Sequence, residues 1–260
     1  MMEMRIARAL AYGVTLALAA ALVMVSMGGA RTAEAQKVPP YAPEVAKEDG
    51  KYAPKIDRSD FVRKVDNPYF PLEPGTRFVY EGETEDGNER ILVDVTYDTK
   101  KILGVECTVV RDRAYLDGEL VEDTFDWYAQ DKKGNVWYFG EDTTEYKNGV
   151  PGSTAGSFEA GKDGAKPGIV MKADPQVGNS YRQEYYKGEA LDMAEVLSLR
   201  EEASVPYGSF DNVLLTKEWT PLEPEVLEHK YYAKGVGNIG EVAVRGGKGR
   251  IELVNIVPPE

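Results

Sequence analysis

"AYLDGELVEDTFDWYAQDKKGNVWYFGE", Ala114 to Glu141, carries two turn signals between runs in which apolar and polar residues alternate. Asp117-Gly118 separates "AYL" from "ELV" with two residues that tolerate positive φ, as both central positions of a type I′ turn require. It therefore marks a two-residue β-hairpin. A second turn, read at Asp131-Lys132-Lys133-Gly134, sets Gln130 opposite Asn135. The ladder then brings Tyr128 against Trp137 and Asp126 against Phe139, with Glu141 one diagonal step away. The other face pairs Trp127 with Tyr138 and Ala129 with Val136, beside Phe125. Cross-strand aromatic pairs stabilise such a ladder, and the face holding Ala129 and Val136 is assigned to the core. The opposite face then presents Asp126, Tyr128, Trp137, Phe139 and Glu141, and rings flanked by acids can stack on a sugar or hold a cation. A curved sheet that buries both faces yields the same pattern.

The period of two continues outward. Val93, Val95 and Tyr97 alternate with Asp94 and Thr96, and Leu103, Val105 and Cys107 follow. Further turn signals fall at Asp86-Gly87 and Gly134-Asn135, and only Gly188–Val196 competes as a short helix. Strands at this spacing without long amphipathic helices indicate an antiparallel all-β domain. "WYAQDKKGNVW" (Trp127–Trp137) is echoed by "YYAKGVGNIG" (Tyr231–Gly240) at an offset of about 104 residues. The same offset sets Lys230 where Asp126 stands and Gly104 on Gly208, while Gly75 and Gly178 open the two halves. Self-similarity at a fixed period signals duplication. The expected fold is a curved antiparallel sheet or half-barrel made of two related meanders, 74–146 and 177–257. The loop 147–176 between them is rich in Gly, Ala and Pro, too long for a simple connection, and crosses the sheet as a lid or a packed segment. Phe158, Ile169, Val170 and Met171 give it apolar anchors. "NPYFPLEPG" (Asn67–Gly75) reads as an entry segment clamped on the sheet, which makes 67–260 one β domain.

At the N-terminus, Arg5 and Arg8 precede an apolar run from Ala9 to Val25, and Ala33-Glu34-Ala35 is a small-x-small cleavage site. Residues 1–35 are expected to be a secretory signal, cleaved near Ala35, so the mature chain is extracytoplasmic, secreted or periplasmic, without a membrane span. The rival is an uncleaved anchor, against which stand the cleavage site and a run slightly short of the about 20 residues a span takes. Residues 36–66, with four prolines and many charges, read as a tether. The whole chain carries a formal charge of −13, and removal of three basic and two acidic residues with the signal leaves it one unit more negative. Such a surface repels phosphate backbones and anionic lipid headgroups, which excludes nucleic acid as a partner. Cations and neutral polar molecules stay open as ligands. One cysteine allows no internal disulfide. Cys107 alternates with Val105 and Val109 as a buried strand residue, and burial blunts a thiol.

No standard catalytic set is present. His229 is the only histidine, which removes His-cluster metal sites and paired His relays within the chain. No G-x-S-x-G or S-x-x-K occurs. Gly156–Lys162 fits G-x-x-x-x-G-K, but Asp163 follows where a P-loop needs Ser or Thr, and the context is β-rich. No calcium-loop run exists. The acids Glu122, Asp123, Asp126, Glu141 and Asp142 are concentrated, and two carboxylates across a cleft are all a glycosidase needs.

"YYAKGVGNIGEV" (Tyr231–Val242), preceded by "YGSFDNVLLT" (Tyr207–Thr216), resembles the closing hairpin of exported bacterial all-β proteins carrying a domain of unknown function. "NPYFPLEPGT" and "DWYAQDKKGNVWYFGE" resemble segments of a related secreted group. More loosely, the chain is similar to the lipoprotein-carrier proteins of the Gram-negative envelope, whose curved sheets hold an acyl chain. These resemblances imply a curved sheet, and no catalytic residue is carried over from them. Three functions are therefore weighed. The first is a non-enzymatic, monomeric binding or carrier protein that needs no cofactor or metal. It would take a small neutral or apolar ligand, a lipid or sugar, on a concave face of Asp126, Tyr128, Trp137, Phe139, Glu141 and Phe158. The second is an envelope carbohydrate hydrolase using acids from Asp126, Glu141 and Glu159. The third is a structural envelope module.

Overall fold

The computed structural model describes residues 52–260, together with a short pairing of Ala9–Leu10 with Gly13–Val14. That pairing apart, the signal expected over 1–35 lies outside the described residues, as does 36–51 of the tether. Residues 52–66, read from composition as part of the tether, are docked on the sheet. The Tyr52 hydroxyl donates to the Pro167 carbonyl, Phe61–Val62 pairs with Gln130 and Asp131, and Val65 is buried. Among the described residues no helix is long and apolar enough to cross a membrane.

The architecture is all-β, as the period of two requires. Twelve strands form its frame: β1 Arg77–Thr84, β2 Gly87–Ile102, β3 Val105–Leu116, β4 Glu119–Asp131, β5 Val136–Lys147, β6 Lys166–Met171, β7 Ser180–Arg182, β8 Met193–Val205, β9 Gly208–Trp219, β10 Leu227–Ala233, β11 Gly237–Arg245 and β12 Gly249–Val257. They lie antiparallel in the order β7-β8-β9-β10-β11-β12-β1-β2-β3-β4-β5-β6, and Glu184–Tyr185 follows β6. Two meanders, β1–β5 and β8–β12, are thus joined where the last strand of the chain pairs with β1. The helix-competent stretch Gly188–Val196 instead turns at Tyr186–Ala190 and enters β8.

The sheet rolls until its two edges meet in one short segment. Arg182 pairs with Met193 of β8 at one edge, and Glu184 pairs with Pro167 of β6 at the other. Only Gln183 separates the two pairings. Six residues therefore cap both edges of a nearly closed barrel, which removes the exposed ladders that would invite pairing with another chain. The closure depends on a close approach at Gly168, where a Cβ would fall 2.2 Å from the backbone of Gln183. Gly168→Ala is expected to force β6 off the seam and cost about 1–3 kcal/mol of stability. Chemical denaturation checks the cost, and hydrogen exchange should speed up first in Lys166–Met171 and Ser180–Tyr185.

The loop 147–176 does not cross the concave face as expected. Val150–Pro151, Phe158–Glu159 and β6 return along β5 and extend the sheet, because the anchors Phe158, Val170 and Met171 bury beside it. The inside of the roll is filled by one large cluster that includes Tyr80, Val93, Tyr128, Tyr138, Tyr232 and Leu253. Tyr69, Phe70 and Leu72 of the entry segment plug one end, with the Phe70 ring 5.3 Å from that of Tyr128. A smaller cluster lies on the outer face, where Cys107, Trp127, Ala129 and Phe139 are covered by Ile56 and Phe61.

Candidate functional site

The β4–β5 hairpin differs from its expected register by one residue. Asp131 and Asn135 pair through the Asp131 N–H and the Asn135 carbonyl, so the loop holds three residues, and Gly134 takes the left-handed conformation at φ 95°. This is the turn followed by a left-handed glycine that three-residue hairpin loops favour. The Asp131 carboxylate secures it by accepting from the N–H groups of Lys133 and Asn135. Tyr128 now faces Tyr138, and Ala129 faces Trp137. A slip of one residue exchanges the faces of a strand. Trp137 and Phe139 accordingly lie outside with Trp127, edge-on to Phe61, while Val136 and Tyr138 lie inside.

A bulge between Tyr138 and Glu141 restores the phase, so Glu141 sits inside and directly opposite Asp126. Of the six residues expected to form a ligand face, Asp126, Tyr128, Glu141 and Phe158 share the inner side, and Trp137 and Phe139 do not join them. None of the four is open to solvent: Tyr128 is 0% exposed and Asp126 3%. The concave aromatic face is core, because the roll brings opposing strands into contact across it.

Asp126 and Glu141 form a buried acid pair around one phenol. The Tyr138 hydroxyl lies 2.7 Å from Asp126 Oδ1 and 2.8 Å from Glu141 Oε2. It has one proton to donate, so a second hydrogen bond requires one carboxyl to be protonated. Burial, opposed by the Tyr138 and Tyr128 hydroxyls, raises the Asp126 pKa. Burial and the Asp126 charge drive that of Glu141 well above the carboxylate range. Glu159, the third acid expected in a hydrolytic site, is instead held by Lys100 and Lys162 at 2.9 Å each. The three acids do not converge.

The acid load continues along the inside of the roll and ends at the mouth opposite the aromatic plug. Lys230, 0% exposed, places its ammonium 3.3 Å from Glu218 Oε2 and 3.8 Å from Glu241 Oε2. Burial pulls its pKa down, and the attraction of Glu218, Glu241 and Glu228 more than reverses that. Beyond Lys230 the roll opens into a pocket of about 430 Å³ of empty space, counting its open mouth. Glu89 of β2, Glu228 of β10 and Glu241 of β11 line it, and the Arg245–Gly249 turn forms part of its rim. A second hollow, about 240 Å³ counted with its open side, shares Glu241 and Ile251 with the mouth and reaches Asp112.

The three mouth carboxylates are buried and incompletely paired. Glu89 is 3% exposed, and neither of its carboxylate oxygens has a hydrogen-bond partner; Glu228 Oε2 and Glu241 Oε2 also lack one. Unpaired buried carboxylates are costly, so each takes up protons readily. Burial, reinforced by Glu122, Glu228 and Asp86, raises the Glu89 pKa to about 8. Burial raises Glu228 to about 7, with Lys230 opposing and Glu218, Asp192 and Glu223 adding to it. Burial, then the Glu228 charge, raises Glu241, against the pull of Lys230. Among the described residues no three His, Cys, Asp or Glu groups converge closely enough to hold a metal ion.

Sequence reasoning missed this mouth, although its signal was present. Glu89 falls in phase with Ile91, Val93 and Val95 on β2, and Glu228 with Lys230 and Tyr232 on β10. A charge at the core phase of an apolar alternation is out of place on solvation grounds alone. His229 is half-buried between Lys217 and Val242, with its pKa lowered by burial and Lys217. Cys107 is fully buried and its thiol is pushed up to about 12 by burial.

No protein-family profile matches the chain, and no curated protein does. Among solved structures, the chain is similar to a protein described as exported, with a YmcC-like fold, from Bacteroides fragilis. The identity is 13% and the TM-score 0.45, over 73% of this chain and 99% of that one. It is also similar to a protein described as a lipoprotein from Parabacteroides distasonis. That identity is 12% and the TM-score 0.35, over 74% of this chain and 99% of that one. At these scores neither likeness fixes the activity of this chain.

Proposed function

We propose that this chain is an extracytoplasmic, non-enzymatic binding protein that takes a small ligand in the acidic mouth of its rolled sheet. One observation carries the reading: Glu89, Glu228 and Glu241 line the same open pocket, and there both oxygens of Glu89 and Oε2 of Glu228 have no hydrogen-bond or ion-pair partner, while Glu241 Oε2 has only the distant Lys230 ammonium at 3.8 Å. A fold that needed these positions only for packing would gain by replacing them with apolar residues, since burying an unpaired polar group is unfavourable. Export is supported by the basic, apolar and small-residue pattern that ends at Ala33-Glu34-Ala35. A binding role is favoured over carbohydrate hydrolysis because Asp126 and Glu141 face each other across Tyr138 in a filled interior, where no glycosidic bond could lie between them.

An amide-resolved NMR titration with separate panels of sugars, short-chain fatty acids and amines tests this reading. A binder should shift resonances of Thr84–Glu89, Val226–Glu228 and Ala243–Gly249 and leave Trp137 unmoved. Shifts confined to the Trp137 side of the hairpin, or silence at the mouth across every panel, would refute the assignment.

A further inference from the structure

We infer that the ligand of the mouth is a compact primary ammonium group, the end of a small amine, held by the carboxylates of Glu89, Glu228 and Glu241. The inference rests on the reading of this pocket as a ligand site and names the chemistry that fits it. Three acceptor atoms stand without partners there, both oxygens of Glu89 and Oε2 of Glu228, and Oε2 of Glu241 has only the Lys230 ammonium at 3.8 Å, beyond hydrogen-bond reach. A primary ammonium brings three N–H donors and one positive charge on a small head, so it answers both the missing hydrogen bonds and the excess negative charge. An anion would be repelled, and a neutral ligand would leave Glu89, which no cation of the fold faces, without a counter-charge.

The chain supplies its own precedent a short distance inward. Lys230 is a primary ammonium fully enclosed among the same class of acids, bridging Glu218 and Glu241. Its charge is drawn toward Glu218 and Glu241, while Glu89 keeps both oxygens unpartnered. The rim's own cations do not fill the place. Arg245 is exposed and donates to the carbonyls of Pro224 and Glu225, and Lys248 is exposed on the turn. A divalent metal does not fit either. It draws oxygens to about 2.0–2.6 Å around a common centre, and these carboxylates do not converge in that way. An ammonium asks only for hydrogen-bond distances of about 2.7–3.2 Å.

Occupancy is coupled to protons. Glu89 faces Glu122 of β4, Glu228 of β10 and Asp86 of the β1–β2 turn. Glu228 faces Lys230 and Glu218 and the acids Asp192 and Glu223, and Glu241 faces Glu228, Lys230, Glu89 and Glu218. With so many like charges the empty site retains protons near neutrality, and a bound cation must expel them. Affinity should therefore fall by about tenfold for each proton displaced per pH unit as pH drops from 8 to 6.

Isothermal titration of the mature protein with methylammonium, tetramethylammonium and calcium, each as the chloride, tests the inference. Methylammonium should bind at one site, more weakly at pH 6 than at pH 8, and tetramethylammonium, which has no N–H donor, at least tenfold more weakly. Glu89→Gln and Glu228→Gln keep the shape and remove a charge, and each should weaken methylammonium at least tenfold without loss of thermal stability. Lys133 is exposed on the β4–β5 turn and outside the lining of the mouth, so Lys133→Ala should leave binding intact. Equal binding of the two ammonium ions, unchanged binding in Glu89→Gln and Glu228→Gln, or calcium binding without methylammonium binding would overturn the inference. If amines fail while a sugar or fatty acid still shifts the mouth resonances, the ammonium assignment alone falls. If every panel is silent there, the binding reading falls with it.

Discussion

Lys230→Met should destabilise the protein by about 3–5 kcal/mol at pH 8, the cost typical of breaking a buried ion pair from one side. The side chain is 0% exposed, and its ammonium is the charge that Glu218 and Glu241 share. Methionine fills a similar volume, so the loss is electrostatic and not a cavity effect. Glu228 faces the same ammonium, and without it these acids can relax only by taking up protons. The penalty should shrink at about pH 5, where protons are plentiful, and a second change, Glu218→Gln, should recover part of it at pH 8. Urea denaturation at the two pH values reads both effects. An equal loss at both would mean that packing, not charge, is what Lys230 contributes.

The second large effect is a reversed dependence of stability on pH. Glu89, with its pKa raised to about 8, and Glu228, raised to about 7, bind protons more tightly folded than unfolded, as do Asp112, Glu141, Glu184 and Glu241. Unfolded carboxyls titrate near 4. The stability these groups contribute is fully present below that value and is lost as pH rises through their raised folded pKa values, about 7 for Glu228 and about 8 for Glu89. Asp94 and Asp131 act in the opposite sense. For both, burial is outweighed by hydrogen bonds, from Arg77 and Arg113 to Asp94, and from Asn135 and Trp137 among others to Asp131. Their pKa values are lowered, so their contribution is lost only as pH falls below about 4. Stability should thus peak at about pH 5 and decline by several kcal/mol toward pH 8, an order-of-magnitude figure from one such shift of several pH units. Thermal unfolding across that range checks it, and a maximum at pH 7 or above would contradict it.

The all-β architecture, the Asp117-Gly118 hairpin and the clamped entry segment follow from local features of the chain. Asp117 and Gly118 both take positive φ, 48° and 87°, as their residue types allow. The hairpin at Asp131–Asn135 is where local reading slipped. A three-residue loop and a four-residue loop differ only in whether Asp131 pairs with Asn135, and Gly134 is compatible with either. The compensating bulge before Glu141 has no sequence signal beyond Gly140. Alternation also ends at Val95: the β2–β3 register shifts between Val95 and Thr99, which leaves Tyr97 74% exposed.

Closure was not legible at all. It depends on Ser180–Tyr185 reaching two edges that lie far apart in sequence, and no local pattern records that. The convergence of the mouth was hidden for the same reason: Glu89 and Glu228 stand out singly as charges at a core phase, but with Glu241 they come from three strands and meet only after the roll forms. The duplication at an offset of 104 stays a proposal. Its support is that the offset carries β3 onto β9 and β4 onto β10, and that the two opening glycines bond alike. The N–H of Gly75 donates to Val95, whose N–H returns to Thr76, and Gly178, Val196 and Asn179 repeat the arrangement. Asp126 and Lys230, matched by that offset, both point inside.

A carboxyl carbon NMR titration of Glu89 tests the central claim most directly. A buried, unpartnered mouth carboxylate should titrate with a midpoint near 8, and methylammonium should move that midpoint downward. A midpoint near 4.5, insensitive to the amine, would mean that Glu89 is an ordinary solvated acid and that the mouth is not a site.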